Sequence, residues 1–307
     1  MTRIYRVYGR RLASRVELPE IHSCDGPPDW HFTTGRLEGD SFTWFDIWPT
    51  GNGKPWVRAS RTLNGYRVRY ERRAHFLIDR LSRTITCEPD DCPAPMMRHF
   101  LLDQVLPLTF SLDAVVLHAS SAAIGGGFAA FIGPGGAGKS TLALALGRAG
   151  YAIGSDDGLL LDGDSRLATP SYPTVRVWHD SATTVAGRRP MNHTALPTAK
   201  RHYRDGFTYA TDAAPLRRLY VLDPEAAPSV RLESMPPREV TIALVEQSYR
   251  LALDDRGALA RQLDELARLA REVPAWRVSS PRRLERWKEL ADAVVDHAEA
   301  TAASGVA

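Results

Sequence analysis

The stretch Gly133-Pro134-Gly135-Gly136-Ala137-Gly138-Lys139-Ser140-Thr141 constrains this chain more than any other. It completes a G-x-x-x-x-G-K-[ST] pattern. The apolar run Phe128-Ala129-Ala130-Phe131-Ile132 leads into it and reads as a strand. Thr141-Leu142-Ala143-Leu144-Ala145-Leu146-Gly147 follows and reads as a helix. Strand, glycine-rich loop and helix in that order make a phosphate-binding loop within an α/β unit. The glycines let backbone N–H groups close around phosphate oxygens, and the helix N-terminus adds its positive dipole end. Lys139 then reaches the outer phosphates and the Ser140 hydroxyl can hold Mg²⁺. The expected nucleotide-binding residues are therefore Gly133, Gly135, Gly136, Ala137, Gly138, Lys139, Ser140 and Thr141, with ATP and Mg²⁺ as the ligands.

The rest of the composition is that of an ordinary globular chain. Its 307 residues are 44% hydrophobic and 24% charged, with a net charge of +3. That balance carries no nucleic-acid signature, and no uniformly basic helix or arm occurs. Cys24, Cys87 and Cys92 lack metal-ligand spacing and cannot all pair with one another, which fits a reducing cytosol. No run approaches the ~20 apolar residues that cross a bilayer. The expectation is a cytoplasmic protein with no nucleic-acid or membrane partner. The sequence leaves room for a homo-oligomer.

Residues 1 to 90 read as a strand-rich N-terminal domain, with a role in peptide recognition as one expectation. Aromatic and β-branched runs at 4–7, 16–18, 44–48, 66–70 and 76–78 are separated by turn signals such as Asn52-Gly53 and Asn64-Gly65. Glu88-Pro89-Asp90-Asp91-Cys92-Pro93-Ala94-Pro95 is the expected boundary. Residues 91 to 300 then carry the phosphate-loop domain, and 301 to 307 read as a frayed tail. Within that domain a helix is expected over 96–112, bent or ended by Pro107. Strands are expected at 115–120, 151–155, 159–162, 175–178 and 219–223, and helices at 237–250, 257–272 and 283–299.

Phosphoryl transfer needs an acidic group beside the phosphate loop. Asp156-Asp157 closes the strand that follows the phosphate-loop helix, and that strand end is expected at the carboxyl edge of the sheet. Adjacent carboxylates repel, so they call for a cation or a proton between them. Asp223, at the end of Leu219-Tyr220-Val221-Leu222, is the competing acid, although Asp223-Pro224-Glu225 is also ordinary turn chemistry. His118 and Arg176 each have two readings, one catalytic and one structural. The basic segment 188–206 reads either as a lid over phosphates or as a solvated loop.

These motifs resemble the HPr kinase/phosphorylase superfamily. The match runs from Leu117-His118-Ala119-Ser120 through the phosphate loop to Gly150-Tyr151-Ala152-Ile153-Gly154-Ser155-Asp156-Asp157. It implies an α/β (α+β overall) fold with an HPr-kinase/PEP-carboxykinase-like nucleotide core and a smaller strand-rich N-terminal region. It also implies that His118 lies near the transfer centre. Asp156 would accept the proton of the substrate hydroxyl, with Asp157 beside it near the metal. The glycine-containing signature that true HPr kinases carry after the aspartate pair is missing. In its place stands Pro170-Ser171-Tyr172-Pro173-Thr174-Val175-Arg176-Val177-Trp178. With Tyr5-Arg6-Val7-Tyr8-Gly9 and Leu102-Asp103-Gln104-Val105-Leu106-Pro107, this looks like the kinase homologues encoded with lasso peptides. That branch implies phosphorylation of the C-terminal serine of a precursor peptide, in some members with further phosphates. Two alternatives stay open: a kinase/phosphorylase of a carrier protein or small metabolite, and a non-catalytic nucleotide-sensing, peptide-binding module.

Overall fold

A computed structural model of the chain describes residues 1–38, 42–49, 55–71, 73–162, 165–187, 200–203 and 206–303. The class is mixed α/β. Residues 1–112 and 250–259 form one compact unit, and the described residues of 113–249 and 260–303 form another.

The first unit is built on an eight-stranded sheet of β1 (Arg3–Val7), β2 (Arg10–Ser14), β3 (Trp30–Thr34), β4 (Phe45–Pro49), β5 (Pro55–Thr62), β6 (Gly65–Tyr70), β7 (Ala74–Asp79) and β8 (Thr84–Pro89). The strand order is β1-β2-β3-β8-β7-β6-β5-β4. β7 alternates buried and half-buried residues along its length, the period of a strand with one face on a core. The segment 16–18 is not a strand. The Ser14 hydroxyl donates to the Val16 carbonyl at 2.7 Å and accepts the Val16 N–H at 3.0 Å, closing a turn there. The unit continues past residue 90 through α1 (Ala94–Phe100), a π-helical turn at Leu101–Val105 and α2 (Leu106–Phe110). The Phe100 ring stacks on Tyr70 of the sheet, with centroids 4.3 Å apart, which holds this helical stretch to the strands. Pro107 follows directly on the π-helical turn, and the helical stretch runs on past it to Phe110 rather than ending there.

The second unit contains β9 (Val115–Leu117), β10 (Ser120–Ala123), β11 (Phe128–Ile132), α3 (Lys139–Arg148), β12 (Ile153–Ser155), β13 (Leu159–Leu161) and β14 (Leu167–Pro170). β15 (Val175–Val177), α4 (His179–Ser181), a π-helical turn at Ala182–Ala186, β16 (Arg201–Tyr203) and β17 (Ala214–Ala226) follow. The chain ends in β18 (Arg231–Ser234), α5 (Pro237–Gln247), α6 (Arg256–Glu272), β19 (Ala275–Ser280), a 3-10 turn at Leu284–Arg286 and α7 (Trp287–Ala303). Residues 301–303, expected to fray, are the last residues of α7.

β11 carries the phosphate loop and lies parallel to β17, which in turn lies parallel to β19. On its other side β11 pairs with β10, and β10 pairs with β12, both antiparallel. β12 therefore runs in the same direction as β11, so both strands point their carboxyl ends at the same edge. β9, β13 and β14 form a second group of strands that joins the first through the long β17. The five residues of β11 are all buried, as expected of a strand covered on both faces. Among the described residues no helix is long and apolar enough to cross a membrane.

Candidate active site

The phosphate loop forms because its glycines reach conformations closed to other residues. Gly138, the N-cap of α3, has φ of 101°. At Gly133 a Cβ would meet the Leu222 carbonyl oxygen at 2.7 Å, so no side chain fits where the loop leaves the sheet. Lys139 opens α3 and is buried. Its Nζ donates to the carbonyl oxygens of Gly133 at 2.6 Å and Pro134 at 3.3 Å. Burial, the largest cause, lowers its pKa to about 8 against the pull of Asp156, and Lys200 adds to the lowering.

The acids and His118 arrive through two chain crossings. The chain passes from β9 to β10 through His118-Ala119, and from β12 to β13 through Asp156-Asp157-Gly158. Leu117 pairs with Leu159 on one side of the crossings and Ser121 with Ser155 on the other. That register sets Ser120 directly opposite Asp156. The Ser120 hydroxyl donates to Asp156 Oδ1 at 2.8 Å, and the Arg176 backbone N–H donates to Oδ2 at 2.6 Å. Asp156 is only 1% exposed.

Asp157 points elsewhere. It is a non-glycine residue with φ of 77°, a conformation that persists only where the surroundings enforce it. The Tyr249 hydroxyl donates to its carbonyl oxygen at 3.1 Å. The Asp157 carboxylate pairs with the Arg176 guanidinium, and its Oδ1 lies 3.4 Å from His118 Nε2. The His118 side chain is 42% exposed. Desolvation, then the charges of Lys139 and Lys200, hold its pKa well below 6.5, toward about 3. The charge of Asp156 acts against that lowering, and the imidazole is neutral at pH 7.

One cavity of about 240 Å³ is lined by Gly135 through Thr141, His118, Asp157, Arg176 and Lys200. Gly133, an acceptor for Lys139, and the buried Asp156 are not among the lining residues. Thr141 lines the cavity with its hydroxyl 3.2 Å from Ser181 Oγ. Asp223 is not among the lining residues. Its Oδ1 accepts the Glu225 N–H at 3.0 Å inside β17, where the pairing with β19 shifts register, so Asp223 lies in a strand irregularity rather than in the expected turn. Of the basic segment 188–206, positions 188–199, 204 and 205 lie outside the described residues, as does the Asn52-Gly53 turn.

Two participants were not singled out in the sequence. Ser120 ends the Leu117–Ser120 stretch and opens β10, Ser-Ser-Ala-Ala, and needs the register to be recognised. Arg282 follows β19, has φ of 52°, and donates to the Gly136 carbonyl of the phosphate loop and to the Pro224 carbonyl at 2.8 Å. Among the described residues no cluster of three or more His, Cys, Asp or Glu side chains could hold a metal ion. Magnesium does not require one, since it takes one or two protein oxygens and leaves the rest to phosphates and water. Ser140 and Asp157, both on the cavity wall, fit that pattern.

No protein-family model matches the chain, and no curated protein matches it. Among solved structures it is similar to the Hpr(Ser) kinase/phosphatase from Coxiella burnetii, with 15% sequence identity, coverage of 51% of this chain and 92% of that one, and a TM-score of 0.22. No residue role is carried across at that degree of likeness.

Proposed function

We propose that this chain is an ATP-dependent phosphotransferase whose acceptor is the C-terminal serine hydroxyl of a lasso-type precursor peptide. The single observation that carries the transferase reading is the shared cavity. It gathers the phosphate loop, Lys139 and Ser140 with His118, Asp157 and Arg176. The peptide acceptor rests on the sequence resemblance of 5–9, 102–107 and 170–178.

In this reading the loop from Gly135 to Ser140 holds the β-phosphate, and Lys139 leaves its two carbonyl partners to bridge phosphate oxygens. Ser140 would hold magnesium, which when bound would supply charge neutralisation on the transferring group. The hydroxyl-facing role passes from Asp156 to Asp157. Asp156 is enclosed with both oxygens engaged, whereas Asp157 borders the cavity. The serine oxygen bonds to the γ-phosphorus, the bond to the ADP oxygen breaks, and Asp157 takes the hydroxyl proton. Arg176 then stabilises charge on the phosphoryl group, and Asp156 positions Asp157 through the Arg176 backbone and Ser120. Positioning and electrostatics carry most of such a rate, and one general base contributes about 10²–10⁴-fold.

The test is incubation with Mg·ATP and peptides ending in serine, with amidated and serine-to-alanine controls, read by mass spectrometry. Phosphoryl on the terminal serine is expected. ATP binding without transfer to any peptide overturns the acceptor assignment and turns the search to carrier proteins and metabolites. Absence of ATP binding overturns the transferase reading itself.

A further inference from the structure

The cavity does not end at the phosphate loop. Leu142 and Ala145 line it three and six residues after Lys139, which at 1.5 Å per residue carries the lining about 9 Å along α3. Leu284, Trp287 and Leu290 complete this arm, from the 3-10 turn and the start of α7. Trp287 and Leu290 are partly buried against the same apolar cluster as Leu142 and Ala145. Arg282, Arg283 and Arg286 line the same arm. The cavity therefore offers cations and a phosphate loop together with an apolar wall that carries an indole ring.

Sheet order separates this arm from the acids. β10 and β12, whose ends bear Ser120 and Asp156, lie on one side of β11. β17 and β19 lie on the other, and the segment Pro281–Leu290 follows β19. A phosphoryl group leaving toward Asp157 points its nucleoside end away from the acids, along α3. We infer that this arm is a nucleobase subsite, with Trp287 as the stacking ring and Leu284 and Leu290 as its flanks. It rests on the nucleotide-binding reading and lies outside the 114–180 segment that carries the family resemblance. The ligand class is a nucleoside polyphosphate, with the anionic chain on the loop and the flat base on the indole.

The experiment is calorimetric titration of the full chain with ATP and, separately, with inorganic triphosphate, which has no base. Wild type is expected to prefer ATP. Trp287→Ala is expected to weaken ATP about tenfold or more, the range of a lost base–aromatic stack, and to leave triphosphate affinity unchanged. Trp287→Phe is expected to restore most of the preference, and retained triphosphate binding reports that each variant is folded. Wild type that binds ATP no better than triphosphate overturns the subsite while the phosphate-loop reading stands. So does Trp287→Ala with ATP affinity unchanged, or with both affinities lowered together. Wild type that binds neither ligand overturns both readings.

Discussion

The Ser120 hydroxyl donates a 2.8 Å hydrogen bond to Asp156 Oδ1, across the two chain crossings that join the strand groups of the second unit. Ser120→Ala leaves a buried carboxylate oxygen without that donor. A loss of about 1–3 kcal/mol in unfolding free energy is expected, read from urea denaturation.

The aspartate pair divides its work. Asp157→Asn is expected to lower single-turnover transfer by at least ~100-fold while ATP affinity by calorimetry stays within about twofold. Asp156→Asn keeps the shape of the buried site and removes its charge, so its transfer rate should fall less. The reverse ranking would return the base role to Asp156.

Lys139 titrates within an accessible range. Its folded-state pKa is lowered from 10.5 to about 8. Between those values the unfolded chain binds more protons, so the ligand-free protein gains stability as pH rises from about 8 to 10.5. Phosphate affinity moves the other way. Above pH 8 it should fall, and binding at pH 8.5 should take up a proton, visible as a buffer-dependent binding enthalpy. Lys139→Ala should weaken ATP at pH 7 and abolish that proton uptake.

His118 gives the acid-side counterpart. Its pKa is lowered from 6.5 toward about 3, so the unfolded chain holds the extra proton between those values. Stability is therefore lost as pH falls through that window. His118→Gln should flatten part of the decline in thermal midpoint between pH 6.5 and 4. An unchanged slope would mean that other groups set it.

Arg282 ties the loop after β19 to the phosphate loop through the Gly136 carbonyl. Arg282→Ala is expected to weaken ATP about five- to tenfold by releasing that loop and removing a cation from the cavity. Arg282→Gly suits the left-handed backbone and should recover stability without recovering affinity. Equal ATP affinity in Arg282→Ala and wild type would remove this residue from the nucleotide site.

The sequence by itself determined the phosphate loop, its strand and helix, and the presence of three late helices, expected at 237–250, 257–272 and 283–299 and found at Pro237–Gln247, Arg256–Glu272 and Trp287–Ala303, because their signals are contiguous. A glycine pattern, an apolar run or a helical period acts over a few neighbouring residues. The tertiary structure alone decided which groups meet. Ser120 faces Asp156 only because β9 with β13 and β10 with β12 keep one register across both crossings. Arg282 reaches Gly136 across 146 residues of chain, and Trp287 reaches α3 only through the packing of α7. The orientation of the aspartate pair was likewise beyond the sequence. Two adjacent carboxylates look alike in the chain, and their fates diverge through distant partners. Ser120 and the Arg176 backbone draw Asp156 inward, while Tyr249 holds Asp157 in a strained backbone that turns its carboxylate to the cavity.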